Sequence, residues 1–384
     1  MTSIRKREWT TPAGTAKSAW QVDYRDQAGA RRSKQFARKK DAEAWLTTAA
    51  YQVTQGTHTP DSQSITVAKA AEFWKTRGER EGLEPSTLAA YDQHIRLHIA
   101  PLCGDRKLSQ LTKPIVEGYR DQLVDTLSRP MASRVLRSLT AIISEAQRRG
   151  YVAQNVAQGV RVARAKRERA KVAIPSKIEL RALLKAASEA SEPMAHPLAL
   201  VAIFGGLRAS ELRGLPWPAI DLKGATLTVS QRADLNGTIG APKSAAGYRT
   251  IPLPPSAISA LRAWKLQCRA SEDDLVFPSI AAKVMSNRYM TLNILGPVLK
   301  AAGLVDPAGT DAKGQAMTVA RYGLHDLRHA AASLWIEQRV SPKRVQGWMG
   351  HSSIQVTFDT YGHLFDQAEQ DASVASAIER DLLQ

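Results

Sequence analysis

Cysteine is almost missing from these 384 residues, with only Cys103 and Cys268 present and far apart. Neither a disulfide framework nor a thiolate zinc cluster is therefore expected. No apolar run approaches the roughly 20 residues that a membrane helix needs. The opening stretch from Met1 to Trp9 is basic but lacks the apolar segment of a secretory signal. The chain is expected in the cytoplasm, with no membrane partner. Acidic residues are also scarce: 36 Asp and Glu against 53 Lys and Arg leave a net charge of +17. A field of that sign attracts polyanions, and nucleic acid is the leading partner, although an anionic membrane surface or a ribosomal setting would share the sign. Apolar residues are in ordinary supply at 43%. They suffice for the two or three cores that a chain of this length requires.

The pattern along the chain divides it into four stretches. Within 1–60, Ser18 to Asp26 and Arg31 to Phe36 flank a Gly-containing turn as a hairpin would. Ala44, Trp45, Ala49 and Val53 then follow at helical spacing until Gly56 to Pro60 breaks the pattern. This predicts a small sheet with one helix. Residues 65–160 read as a helical bundle, with segments at Val67 to Trp74, Ser86 to Ile99, Ile115 to Leu127 and Ser133 to Arg149. Ser86 is a cap candidate after Pro85, and Thr112 precedes Lys113-Pro114. Residues 161–173 carry a run of positive charge without an apolar face, which suggests a basic linker. From 174 to 384, Ser176 and Glu179 form a capping signal, and Ala225 to Ser230 and Tyr248 to Leu253 are strand-like within a mainly helical region. The expected fold class is multidomain, mainly α with small β-sheets: a small α+β domain, a helical bundle, and a mixed α/β domain.

Four segments of the last region carry groups suited to handling phosphate. Arg208 and Glu211 lie three apart on one helix face, so the carboxylate could hold the guanidinium, although an ordinary surface ion pair has the same spacing. Lys243 sits in a loop before a strand, where a mobile ammonium could give a proton to a leaving oxygen. Leu324, Leu327, Ala331 and Leu334 mark a buried helical stripe, with His325, Arg328 and His329 beside it. The i,i+4 histidines raise zinc, yet Asp326 stands where a metalloprotease has Glu, and Arg328 would repel the ion. Ser341-Pro342 opens a further helix that Gly350 closes, leaving His351 at the bend. Ile354, Phe358 and Tyr361 then follow at i, i+4 and i+7, which by itself makes Tyr361 one more core residue on an apolar face.

Taken in order, Gly-Leu-Arg208-x-x-Glu211-Leu, Lys243, His325-x-x-Arg328, Gly350-His351 and Tyr361 resemble the catalytic domain of the tyrosine recombinases, or phage integrases. Departures are small, with Trp348-Met349 where Leu is usual. Residues 65–160 look like that family's core-binding domain, though Asn155-Val156 replaces the usual Asn-Pro, and 1–60 are similar to its arm-binding domain. The resemblance implies that Tyr361 is the nucleophile. It implies that Arg208 and Arg328 stabilise the phosphorane, supported by Glu211. Lys243 then protonates the leaving 5′ oxygen, His325 assists proton transfer, and His351 donates to the phosphate. It also implies site-specific recombination through a 3′-phosphotyrosyl intermediate and a Holliday junction, without cofactor or metal. A homo-tetramer would act on double-stranded attachment sites of a phage or mobile element, in the bacterial nucleoid, with a host bending factor or an excisionase as accessory partners. A type IB topoisomerase-like relaxing enzyme, a non-catalytic DNA-binding regulator and a zinc hydrolase are the competing readings. In the tail, Ala368, Ala372, Ala375 and Ile378 are spaced for a helix that packs either on a neighbouring subunit or on its own domain.

Overall fold

Large residues that alternate with polar ones put one face of a strand inside, and the first sheet is built this way. In the computed structural model, which describes residues 2–12, 14–163, 173–310 and 314–365, β1 (Ser3–Thr10), β2 (Ala16–Arg25) and β3 (Arg31–Phe36) pair antiparallel in that order. Tyr24 of β2 meets Trp45 of α1 (Lys39–Thr54) edge-on, with ring centroids 5.1 Å apart. The hairpin and helix are as expected. Strand β1 was not anticipated, because Arg5, Lys6, Arg7 and Glu8 show no alternation and all stay exposed on an edge strand.

The helical part follows as α2 (Val67–Arg80), α3 (Pro85–His94), α4 (Ala100–Cys103), α5 (Lys113–Thr126) and α6 (Arg129–Arg148). A π-helical turn at Ile95–Ile99 joins α3 to α4. Helix α6 buries Val135, Leu139, Ile142, Ile143 and Ala146, the stripe on which the bundle closes. Ser86 does not cap α3: Pro85 is already the first helical residue, where its missing N–H costs nothing. Thr112 does stand at the cap position of α5, but its side chain makes no capping bond. Contacts divide the chain into two units, residues 1–168 and 169–384. Most of the expected linker 161–173, and the tail from 366 on, lie outside the described residues.

The second unit starts with α7 (Lys177–Ser188), entered through the Ser176–Glu179 capping box that the sequence signals. Helix α8 (Ala195–Gly205) is buried almost all round and forms the centre, against which α7, α10 and α13 pack. After the short α9 (Ala209–Arg213) come β4 (Ile220–Asp221) and β5 (Thr226–Val229). The hairpin β6 (Arg232–Ala233) and β7 (Ile239–Gly240) follows, and then β8 (Arg249–Pro252). The sheet order is β4-β5-β8, antiparallel. Next are α10 (Pro255–Lys265), α11 (Asn287–Tyr289), α12 (Gly296–Ala301) and a hairpin of β9 (Val305–Thr310) and β10 (Ala316–Ala320). No alternation in the sequence marks that hairpin, since Met317 and Val319 point outward and Pro307 and Gly309 interrupt the first strand. Helices α13 (Leu324–Glu337), α14 (Pro342–Met349) and α15 (Ile354–Phe365) complete the unit. The expected class, mainly α with small sheets, is the one observed. No helix among the described residues is long and apolar enough to cross a membrane.

Candidate active site

The site begins where α8 runs out. Gly206 closes that helix in the left-handed region, at φ 56, and its carbonyl accepts from Arg328 Nη1 at 2.6 Å. Two residues later Arg208 stands at the N-cap of α9. Glu211 reaches back to it twice: Oε2 accepts from the Arg208 backbone N–H and Oε1 from its Nη1, both at 2.8 Å. The same carboxylate is gripped from the other side by Arg249, whose Nη1 and Nη2 donate at 3.0 and 2.7 Å. Glu211 is only 3% exposed. Burial would raise its pKa, but the hydrogen bonds and charge of Arg249, followed by those of Arg208, hold it down at about 2.

Three guanidiniums converge on the last carbonyls of α14. Arg249 Nε donates to Trp348 O at 2.6 Å, Arg328 Nη2 to Met349 O, and Arg208 Nη2 to Gly350 O at 2.8 Å. These carbonyls have no partner within the helix and carry its negative dipole end, so cations there are doubly favoured. Arg328 is 2% exposed. Burial, then the nearby Arg208, lowers its pKa to about 9 against the pull of Glu211, so it keeps its charge at neutral pH.

Gly350, at φ 62, ends α14 as the sequence signals, and His351 follows at the bend. His351 Nδ1 lies 2.9 Å from Thr357 Oγ1. Burial first, and the charges of Arg328, Arg208 and Arg249 after it, push this imidazole down to about 4, so it is neutral at pH 7. On α15 the buried residues are Thr357 and Tyr361, one turn apart. The expected face of Ile354, Phe358 and Tyr361 is therefore corrected: Phe358 is 44% exposed, and a threonine shares the buried side with the tyrosine. Tyr361 itself has no exposure. Burial raises its phenol to about 12, partly offset by Arg328. Its Oη lies 2.6 Å from His329 Nδ1, and its ring runs nearly parallel to that of His351 at 6.5 Å.

Arg208, Glu211, Arg328, His351 and Tyr361 thus come together around α13, α14 and α15. His325 is exposed, with its ring edge-on to His329 at 4.5 Å. Partial burial and the charge of Arg328 lower its pKa. Lys243 is exposed in the loop between β7 and β8, and no hydrogen bond or ion pair joins it to the others. Among the described residues no three His, Cys, Asp or Glu side chains converge as a metal would require. Two participants were not among the expected catalytic residues. Arg249 could have been found by alternation, since it shares the inward face of β8 with Ile251. His329 stands beside the buried stripe with His325 and Arg328 in the sequence, but no local signal ties it to Tyr361 on another helix.

A family model described as the phage integrase family matches residues 176–368. A tyrosine recombinase XerC-like protein of Caldanaerobacter subterraneus subsp. tengcongensis is 25% identical over 367 residues, covering 91% of this chain and 92% of its own. The Tn1549 transposon integrase, solved in complex with a circular intermediate DNA, superposes with a TM-score of 0.65 at 19% identity, over 83% of this chain and 99% of that one. A lambda integrase tetramer bound to a Holliday junction gives 0.57 at 19% identity, over 90% and 95%. At such identities the two structures speak for the fold, while the family match takes in half of the sequence. The chain belongs to the phage integrase family and is a tyrosine recombinase, an enzyme that breaks and rejoins DNA.

Proposed function

We propose that this recombinase integrates or excises a phage or other mobile element at specific double-stranded DNA sites, with Tyr361 as its nucleophile. The observation that carries the reading is the convergence of Arg208 and Arg328 on one helix end, with a phenol beside it. A phenol is a poor nucleophile at neutral pH and a phosphodiester repels anions, so both partners need cations close by. Arg208, whose side chain is 40% exposed, is the guanidinium open to solvent and would take a non-bridging oxygen first. Arg328 would supply its charge to the five-coordinate phosphorane from beneath. In the step itself the Tyr361 oxygen bonds to phosphorus, the bond to the 5′ oxygen breaks, and Lys243 gives that oxygen its proton. His325 assists proton transfer, and His351 donates to a phosphate oxygen. The 3′-phosphotyrosine keeps the bond energy, so the reverse attack by a 5′-hydroxyl of the partner strand reseals DNA without ATP. Because Tyr361 is fully buried, engaging DNA has to open a path for the phosphate to the phenol.

In this reading 65–160 clamp the core site, 174–384 cut it, and 1–60 grip a second DNA site. The exposed Arg5, Lys6, Arg7, Lys17 and Arg31 of the first sheet support that last role. Four protomers would exchange strands through a Holliday junction, as the tetrameric lambda integrase complex suggests. A host bending factor or an excisionase would assist on the nucleoid, in the bacterial cytoplasm. A nicked substrate that loses a short fragment after cleavage traps the covalent adduct. The native protein should accumulate it and Tyr361→Phe should not, while still binding DNA. Equal adduct from both proteins would falsify the nucleophile assignment. On a plasmid with two sites, recombined products are expected; relaxation alone would defeat the recombinase reading.

A further inference from the structure

The phenol needs somewhere to send its proton, and a hydrogen-bonded imidazole stands beside it. Among the described residues the hydrogen bond of Tyr361 Oη is with His329 Nδ1, at 2.6 Å. We propose that His329 is a catalytic residue that accepts the Tyr361 proton as the phenol attacks. This rests on Tyr361 being the nucleophile.

The placement follows from the helix. His329 comes one residue after Arg328 and four after His325, so α13 presents a guanidinium to the phosphate and an imidazole to the phenol from adjacent positions. Charged and titratable neighbours surround the ring. His325, Asp326 and Arg328 lie on its own helix, with His351 and Tyr361 opposite. Burial, then His325, lowers its pKa to about 4, with Asp326 opposing and Arg328 adding. It is therefore neutral at pH 7, as an acceptor must be. With the phenol at about 12, no proton moves at rest. A bound phosphodiester brings in a negative charge that favours the imidazolium. As Oη bonds to phosphorus its own basicity collapses, and the proton passes to Nδ1. The leaving 5′ oxygen draws its proton separately from Lys243, so the step balances.

Single-turnover adduct formation by the full-length protein tests this. His329→Asn keeps an acceptor oxygen near the Nδ1 position without a basic nitrogen, whereas His329→Ala removes both. Both should form adduct about 100-fold more slowly or worse, with DNA binding retained. An Asn variant within about twofold of the native rate overturns the proposal and leaves His329 only holding the phenol. The pH profile is a second readout that needs no variant. The native rate should rise as His329 loses its proton and then level off, while a rate that climbs without a plateau toward the ionisation of the phenol refutes a base. Tyr361→Phe is the separate control. Adduct persisting there removes the nucleophile reading and this proposal together, whereas adduct lost there with a normal rate in His329→Asn removes this proposal alone.

Discussion

Glu211 is the residue on which the cations depend. Buried itself, it neutralises the partly exposed Arg208 and the buried Arg249 directly and lies 3.9 Å from the buried Arg328, in one charge cluster. Removing one partner of such a cluster typically costs about 3–5 kcal/mol, because buried charge is left unpaired. Glu211→Ala should therefore lower the denaturation midpoint markedly, with Glu211→Gln intermediate, and both should abolish adduct formation. The pH dependence has a definite sign. A carboxyl held at about 2 when folded, against 4.5 in its ordinary state, contributes fully above pH 4.5 and loses that contribution as the pH falls towards 2. Acid unfolding followed by circular dichroism should show this loss in the native protein and a shallower one in Glu211→Gln. An unchanged acid transition would mean that the carboxylate is not the keystone described. The pairing with Arg208 was legible in the sequence, because i,i+3 spacing is a local property. Arg249 was not, since it arrives 38 residues later on another element.

Two helices of the site end in the same way, and both ends hold arginines. Gly206 closes α8 and Gly350 closes α14, both in left-handed backbone, and each turned carbonyl receives an arginine. At Gly350 the backbone conformation is only half of the reason for glycine. A Cβ there would come 2.9 Å from Ala246 O and 3.0 Å from Arg249 Nη1, so the segment that follows Lys243 approaches too closely for any side chain. Gly350→Ala combines left-handed strain, about 1 kcal/mol, with a contact that backbone must relieve. Urea unfolding should register a loss of about 2 kcal/mol, and adduct formation should fall further than stability does, because Arg249 and His351 shift together. Retained stability with normal cleavage would contradict this account of the close approach. The end at Gly350 was visible in sequence as Gly after a periodic run, as were the capping box of α7 and strands β5 and β8, whereas the almost wholly buried α8 shows no polar face from which its end at Gly206 could be read. Strands β1, β9 and β10 were invisible because they bury little, so no apolar alternation marks them. The face of α15 was misjudged for a related reason. Apolar spacing pointed to Phe358, but the position that turns inward beside Tyr361 is filled by Thr357, whose hydroxyl has His351 as a partner.

For the whole molecule the governing quantity is the net charge of +17, readable from composition because a long-range field does not depend on how the chain is folded. DNA binding displaces condensed counterions, and each phosphate neutralised contributes about −0.9 to the slope of log K against log salt. A protein that engages about 6–10 phosphates then loses about 10³ to 10⁵ in affinity between roughly 50 and 200 mM salt. Fluorescence anisotropy with a labelled duplex should find a slope in that range. The comparison that matters is with Tyr361→Phe. Burial keeps the phenol protonated with a pKa of about 12, so its removal deletes no charge and should leave both slope and intercept unchanged while cleavage disappears. Separating the two activities in this way assigns recognition to the distributed cations and chemistry to the buried cluster. A variant that lost affinity along with cleavage would instead place Tyr361 in the binding surface, which its zero exposure argues against.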